Sequence, residues 1–502
     1  MKNFDRLQYN NPQEYEQDLK AKGCTGFCPI PWVSLGINNN GDYRMCVQAA
    51  ANRKVRGVCK DSDENTMRIE DTSIADARNS EIMKETRRDM IAGKRSEHCV
   101  RCNKEDDSGF QSRRWVDMKR YWKEFDIDDA IQNTKEDGTI NTSEYPLLDL
   151  DIRMDNTCNL KCRMCGPSES HQWYTEWMKT TGFKGFSSYG HRVALEMQGN
   201  RAKIVGNNPY QWTERVDVAS ILQRDAPRLK IMYMSGGEPL IIEQQYQLLQ
   251  SYIDSGTAHK MELDYNTNFT SVPQRALDMW KHFKQVNIGG SVDGVGAINN
   301  YIRHPSKWTQ VTKNINKLDS ESSDNVTCWL TFTWQILNVL NVTDLLEWIL
   351  EQDFYKFNRY SKGPCFTYHP VHNPVHYSVT SLPKKTKQRV EEHFTNWKNN
   401  WLRNWIDSKP IDYKMRNAEA PLKTVTGKDI RIITEWDHGR ESLYKEICKG
   451  LDNMIAFMNA NDTTDALPEF WRITKILDAS RDENFEELYP DIAKDIKEQI
   501  DE

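Results

Sequence analysis

The chain has no apolar run long enough to cross a membrane as a helix. It also has no excess of positive charge: 67 Lys and Arg stand against 73 Asp and Glu, for a formal net charge of −6. No global field therefore draws it to nucleic acid or to an anionic bilayer. Residues 1–20 are polar and hold no apolar signal core. The expected setting is a reducing cytoplasm, where cysteines stay as thiols or bind metal, and a disulfide framework is not expected. In that setting triplets such as Asn325-Val-Thr327 carry no glycosylation meaning. No internal repeat is present.

What is present is length, aromatic residues and cysteine. A chain of 502 residues has room for about three domains, or for one barrel that takes up half of it, and it can bury a large core. A mean hydropathy of −0.78 with 16 Trp and 20 Tyr predicts a charged surface over an aromatic-rich core. Three regions separate. Residues 1–138 hold six of the twelve cysteines and end in a polar stretch, 132–138, read as a linker. Residues 142–374 alternate strand-like and helix-like segments, with strands expected at 147–154, 229–235, 261–268, 286–293, 326–334 and 365–369, and a helix at 342–351. Such alternation predicts βαβ units and a parallel sheet. The expected fold is α/β, a partial (β/α)6 TIM-like barrel with an N-terminal cysteine-rich domain and a C-terminal helical region over 375–502. In the last region Trp397, Trp401 and Trp405 recur four apart, a packing stripe. Residues 180–210 read as an insertion leaving the end of the first barrel strand, with a lid or substrate loop as the preferred role.

Cys158, Cys162 and Cys165 lie in TCNLKCRMCG, residues 157–166, directly after the first of these strands. The spacing is C-x3-C-x2-C. Three thiolates on one tight loop hold three corners of an iron–sulfur cubane and leave one iron free to bind a substrate or cofactor. Zinc normally wants four ligands, and no fourth Cys or His lies nearby in sequence. The second strand runs into Gly236-Gly237-Glu238-Pro239, where two glycines permit close approach of backbone to a ligand and Glu238 offers a carboxylate. Candidate ligands after successive strands gather at the strand C-termini, where parallel barrels carry their sites. Arg303, with its forked donors, suits a carboxylate.

Over 147–374 these residues resemble the radical S-adenosylmethionine (SAM) enzymes. The resemblance implies that Cys158, Cys162 and Cys165 hold a 4Fe–4S cluster and that SAM chelates its open iron. It implies that Gly236, Gly237 and Glu238 receive the SAM amino group, that Ser291 contacts the ribose, and that Arg303 pairs with the SAM carboxylate. Asn268 ends the third strand where the family often has Thr-Asn-Gly, and Phe269 departs from that glycine. Met164 stands where the family often has an aromatic residue against adenine.

A second pattern precedes the barrel. Residues 38–42, NNNGD, read as a hairpin turn leading to Cys46. A helical stretch follows at 74–93, then Cys99 and Cys102 in C-x2-C. Cys28, Cys46, Cys99 and Cys102 suit a closed four-thiolate site, with spacing alone leaving zinc and iron–sulfur open. Cys24 and Cys59 are spare, either able to replace Cys28 or Cys46. Cys328 and Cys448 read as core residues, and Cys365 as a thiol on the last strand near His369. The stretch resembles the twitch module, a shortened relative of the SPASM domain, which implies an auxiliary iron–sulfur cluster.

The resemblance implies an enzyme that cleaves SAM reductively to a 5′-deoxyadenosyl radical and abstracts hydrogen from a substrate. A flavodoxin or ferredoxin would be the electron donor. A peptide or protein substrate is expected, although no separate leader-peptide-binding domain is expected before Cys24. A nucleotide or sugar derivative is the alternative. Nucleic acid ranks third: Lys94, Arg95, Arg101, Lys104, Arg113 and Arg114 read as a solvated face. The competing class is a non-catalytic metal protein with a four-cysteine zinc site.

Overall fold

The computed structural model describes residues 11–21, 23–49, 57–107, 109, 111–352, 354–357, 366–409, 422–423, 429–430 and 440–501. By its internal contacts the chain divides into two compact units. The first comprises Met1–Thr157, Lys184–Tyr265 and His282–Lys284, and the second Cys158–Phe183, Asn266–Lys281 and Gln285–Glu502. The fold is mixed α/β with parallel strand pairing in both units. No helix among the described residues is long and apolar enough to cross a membrane.

In the first unit, β1 (Ser34–Ile37) and β2 (Tyr43–Arg44) form a small antiparallel hairpin. Strand β1 also pairs in parallel with β3 (Asp149–Ile152), Gly36 opposite Asp151. An antiparallel three-stranded sheet, β4 (Gly185–Ser188), β5 (His191–Gln198) and β6 (Arg201–Ile204), occupies the insertion. Strand β7 (Ile231–Met234) pairs in parallel with β3 and with β8 (Glu262–Thr267), so that Asp151, Tyr233 and Asp264 lie in one cross-strand row. All four residues of β3 are buried. Its alternation of Asp with Leu and Ile is therefore not a wet face and a dry one, but a polar buried face opposite an apolar one.

Helices α1 (Pro12–Ala21), α2 (Glu81–Ile91) and α4 (Arg113–Arg120) contribute to an aromatic core in this unit, and α3 (Val100–Asp107) follows Cys99, which packs against it. Trp32 is fully buried, stacks on Phe27 at 5.1 Å and donates from Nε1 to Thr134 Oγ1 at 2.9 Å. The expected helix at 74–93 is broken. After Ile74–Ala77 the chain turns at Arg78, whose guanidinium donates to Trp32 O and to Tyr145 O, and it resumes as α2. Arg87 of α2 donates to Pro31 O, Arg78 O and Gly138 O. Residues 132–138 are thus fastened to α2: Gly138, at φ +87°, lies so close to Lys84 O that a Cβ would come within 2.2 Å. The NNNGD turn is the expected hairpin turn, and it is buried. Trp212 packs on Gly41 and donates to Asn39 O at 3.1 Å, and His191 of β5 meets Asp42 at 2.9 Å.

In the second unit, β9 (Gln285–Ser291), β10 (Val326–Trp334) and β11 (Phe366–Pro370) pair in parallel in sequence order. Strand β10 buries Val326, Cys328, Leu330, Phe332 and Trp334 on one face and half-buries the alternate residues. Around these strands lie α5 (Trp173–Thr181), α6 (Ala297–Ile302), α7 (Trp308–Glu321), α8 (Val342–Glu351) and α9 (Lys384–Trp397). They are followed by α10 (Arg440–Asn459), α11 (Leu467–Arg481) and α12 (Pro490–Asp501). Past α9 the chain continues through a π turn, and Trp397, Trp401 and Trp405 stack at 5.4 and 6.2 Å. Cys328 is fully buried, Cys448 is half-buried, and Cys365 lies outside the described residues.

Candidate metal centres

The cysteine triad belongs to the second unit. Its loop has no regular structure of its own, so its shape comes from what it touches. Cys165 N–H donates to Cys162 O at 3.0 Å, Cys158 N–H to His171 Nδ1 at 3.2 Å, and Ser170 Oγ to Leu160 O at 2.5 Å. Two further bonds lace the loop to the chain after α6: Lys161 N–H donates to His304 O and Arg163 N–H to Ile302 O, both at 2.8 Å. The residue between those two carbonyls is Arg303, and its Nη1 stands 4.0 Å from Cys162 Sγ. The same guanidinium meets the buried Asp293 carboxylate at 2.8 Å. Cys158 and Cys162 are buried, Cys165 is exposed, and Met164 packs against the first two. The Cys162 thiol is held below its usual pKa by a hydrogen bond from Cys165 and, against the opposing effect of burial, by the charge of Arg303.

Asn268 ties the third strand end to this loop. Its Nδ2 donates to Asn159 Oδ1 at 3.0 Å, and its Oδ1 accepts from Thr270 N–H at 2.9 Å. Phe269 keeps a positive φ of +56°, the conformation a glycine there would take freely. Ser291 is half-buried at the end of β9, opposite Thr331.

The other strand-end motif lies in the first unit. Gly236 and Gly237 have φ of +80° and +55°. A Cβ on Gly237 would lie 2.3 Å from Thr157 O, the carbonyl that precedes Cys158 in the chain, and one on Gly236 would press on the Arg153 side chain. Glu238 N–H donates to that same Thr157 O at 2.8 Å, and the Glu238 carboxylate is buried and accepts from Leu240 N–H at 3.1 Å. Both glycines are thus required by conformation and by contact.

The first unit also gathers the four cysteines expected to act together. Cys28, Cys46, Cys99 and Cys102 line one pocket, partly open to solvent, with Met45, His98, Arg113, Arg114 and Asp117 among the other walls. Cys28 comes from the turn before residues Ile30–Val33, Cys46 from just after β2, and Cys99 and Cys102 from the first turn of α3 and the residue before it. Burial pushes all four thiols up, Cys99 to about 11. Neighbouring thiolates add to the rise at Cys28, Cys99 and Cys102. Ionising such a set needs a compensating cation, which is the chemistry of a metal site. Tetrahedral zinc, at about 2.3 Å from each sulfur, would draw the sulfurs to about 3.8 Å of one another. Among the described residues the group whose ligand atoms all lie within 4.8 Å is Glu85, Glu97 and His98, and neither set of cysteines meets that limit. A cubane gives each thiolate a different iron and accepts a wider spread. Cys24 and Cys59 are buried away from the pocket lining, raised by burial to about 11 and about 12.

Arg113 and Arg114, read from sequence as part of a solvated face, are corrected by the structure. Arg114 is 1% exposed and bonds Asp106 at 2.8 Å, while Arg113 bonds Asp117 at 3.0 Å and lies 3.9 Å from Asp149. Both are walls of the cysteine pocket. Sequence reading also missed Arg163. Its side chain is fully buried, with Asp478 and Glu483 each at 2.6 Å and the Tyr301 ring 3.7 Å beneath the guanidinium. An arginine between two cysteines of the triad was the available signal; its carboxylate partners lie more than 300 residues away.

No family model matches the chain, and a comparison with curated proteins finds no relative. Solved structures give distant likenesses. One is native anSMEcpe with bound AdoMet, at 16% identity over 51% of this chain and 62% of that one, with a TM-score of 0.33. Two others are Streptococcus suis SuiB bound to S-adenosylmethionine, at 11% identity over 63% and 64% with a TM-score of 0.30, and SuiB bound to the precursor peptide SuiA, at 10% identity over 77% and 90% with a TM-score of 0.31. The chain spans less than two thirds of the first of these proteins. Likeness at this level carries no argument about activity.

Proposed function

We propose that the chain is a radical SAM enzyme, with Cys158, Cys162 and Cys165 as ligands of a 4Fe–4S cluster and SAM as its co-substrate. The observation that carries this reading is the lacing of the cysteine loop to residues 302–304, which sets the Arg303 guanidinium 4.0 Å from Cys162 Sγ. Bound there, the cluster would supply one electron to SAM, and homolysis of its sulfur–carbon bond yields a 5′-deoxyadenosyl radical. The residues of the chain bind and orient. Gly236 and Gly237 admit the SAM amino group to the backbone, with Glu238 beside it. Arg303 takes the carboxylate, Ser291 the ribose, and Met164 packs on adenine. Asn268 holds the loop at Asn159.

In this reading Cys28, Cys46, Cys99 and Cys102 hold an auxiliary iron–sulfur cluster, in a domain of the twitch type that precedes a partial barrel. A peptide or protein is the substrate, a nucleotide or sugar derivative the competing one, and a flavodoxin or ferredoxin the electron donor in the cytoplasm.

The test is 5′-deoxyadenosine formation by anaerobically reconstituted protein with SAM and dithionite. Wild type produces it and Cys162→Ala does not. Equal yields from the two would end the proposal.

A further inference from the structure

Two carboxylates from the end of the chain grip both sides of the triad site within the second unit. Arg163, between Cys162 and Cys165, has a fully buried side chain. Its Nη2 meets Asp478 Oδ1 and Glu483 Oε2, each at 2.6 Å, and its Nε donates to Tyr301 O at 3.1 Å. Each carboxylate has a second partner at the end of α6. Asp478 Oδ1 accepts from the Tyr301 hydroxyl at 2.8 Å, and Glu483 Oε1 meets His304 Nδ1 at 2.7 Å. Arg303 lies between these two gripped residues, with its Nη1 4.0 Å from Cys162 Sγ.

The local sequence builds the grip. Helix α11 ends at Arg481, and Asp482 takes φ of +55°, a left-handed conformation that Asp tolerates better than most residues with a side chain. Glu483 N–H then returns to Asp478 O at 3.0 Å, and Asp478 Oδ2 accepts from Phe485 N–H at 2.8 Å. The turn thus brings Glu483 back to Asp478 and leaves both free to face Arg163.

Stability alone does not account for this cluster. A buried ion pair adds little over apolar packing of the same volume. Arg163 Nη1 is also buried without a hydrogen-bond partner, a cost that an apolar side chain would not carry. What charged hydrogen bonds give instead is direction, since each fixes a donor at a set distance from an oxygen. Direction is needed here: neither the cysteine loop nor residues 303–307 belong to a helix or strand.

We propose that Asp478 and Glu483 are positioning residues: they clamp the cysteine loop to residues 301–304 and so hold Arg303 beside Cys162, where it receives the SAM carboxylate. This rests on the radical SAM reading, and it makes the C-terminal helices a working part of that site.

Hydrogen exchange of the full, cluster-free chain, followed by mass spectrometry, reads the clamp directly. The Lys161 and Arg163 amides, which donate to His304 O and Ile302 O, should exchange about tenfold faster in Asp478→Asn and in Tyr301→Phe, with β10 unchanged. Tyr301→Phe removes the hydroxyl but keeps the ring under Arg163 and both ion pairs, so it decides if Asp478→Asn does not fold. In the reconstituted proteins, equilibrium dialysis should show SAM bound about tenfold more weakly by either variant, with iron per chain unchanged. Exchange over 158–166 within about twofold of wild type in the folded variants overturns the proposal. Wild-type SAM affinity in a variant whose loop exchanges fast overturns it as well. A wild type that does not bind SAM sinks the radical SAM reading, and with it the role of the clamp, whatever the exchange shows.

Discussion

Phe269 and Gly290 show how one residue's departure is accommodated by another. Phe269 holds φ at +56°, which costs a residue with a side chain roughly 1–2 kcal/mol. Its ring is fully buried, meets Phe357 edge-on at 5.9 Å, and lies over Gly290. A Cβ on Gly290 would come 1.5 Å from that ring. The bare backbone at 290 is the socket for the ring at 269. Gly290→Ala should therefore cost about 1–3 kcal/mol through overpacking. Combining it with Phe269→Ala should cost clearly less than the sum of the two single changes, because the second substitution removes the ring that the new methyl strikes. Urea unfolding of the four proteins measures this, and strictly additive effects would show that the two residues are not coupled. Gly237 is a harder case, since its Cβ would meet a backbone carbonyl that cannot rotate away. Gly237→Ala should abolish 5′-deoxyadenosine formation even in protein that folds and retains iron. Activity within twofold of wild type would show that the close approach at Thr157 is dispensable.

At the scale of elements, the second unit braces the cysteine loop with helices from the far end of the chain. Arg481, at the end of α11, meets Glu176 of α5 at 2.8 Å, donates to Lys161 O at 2.9 Å and covers the Trp173 ring at 4.9 Å. Asp478 and Glu483 hold Arg163, and Glu483 also meets His304 at 2.7 Å. Burial alone would raise Glu176, but the hydrogen bonds and charge of Arg481, with Lys161, outweigh it and hold the carboxyl at about 2. Its folded-state value lies below the roughly 4.3 of an unfolded chain, so the pair adds stability above that pH, and this is lost as pH falls toward 2. Glu176→Gln should flatten the stability curve between about pH 4.5 and 2 by of order 2–3 kcal/mol. Parallel curves for wild type and variant would show that the brace contributes nothing. None of these helix contacts was legible in the sequence, because a side chain gives no local sign of a partner 315 residues away, as in the Arg163–Asp478 pair. What was legible is local. The alternation of β10 and the apolar stripe of α8 gave the observed elements, and C-x3-C-x2-C marked its own loop. Strand β3 was readable as a strand but not in character, since Asp149 and Asp151 look solvent-facing until Tyr121 and Arg113 pack on their side of the sheet. The β1–β2 hairpin was visible only as its turn, its strands being four and two residues long.

For the whole molecule, the two cysteine sets fall in different compact units, the triad in one and the four-thiol pocket in the other. Each set draws its shape from its own unit. The triad loop is laced to residues 302–304 and braced through Arg163, while the pocket is walled by α3 and α4 and set by Arg78 and Arg87 gripping the carbonyls of residues 31 and 32. Two independent cubanes would then give about eight irons per chain with matching sulfide. Replacing the triad by alanine should leave about four irons, held by the N-terminal thiols. Replacing Cys99 and Cys102 should leave about four held by the triad, with SAM still perturbing the paramagnetic signal of the remaining cluster. Zinc in the pocket would instead give about four irons and one zinc in wild type, and no loss of iron when Cys99 and Cys102 are changed. Because burial and mutual repulsion hold the pocket thiols protonated, loading that site must release protons. Iron uptake by the triad-free protein should therefore rise with pH between about 6 and 9, measured as iron and sulfide bound after reconstitution at each pH. Uptake independent of pH would mean that the four thiols are not the ligands.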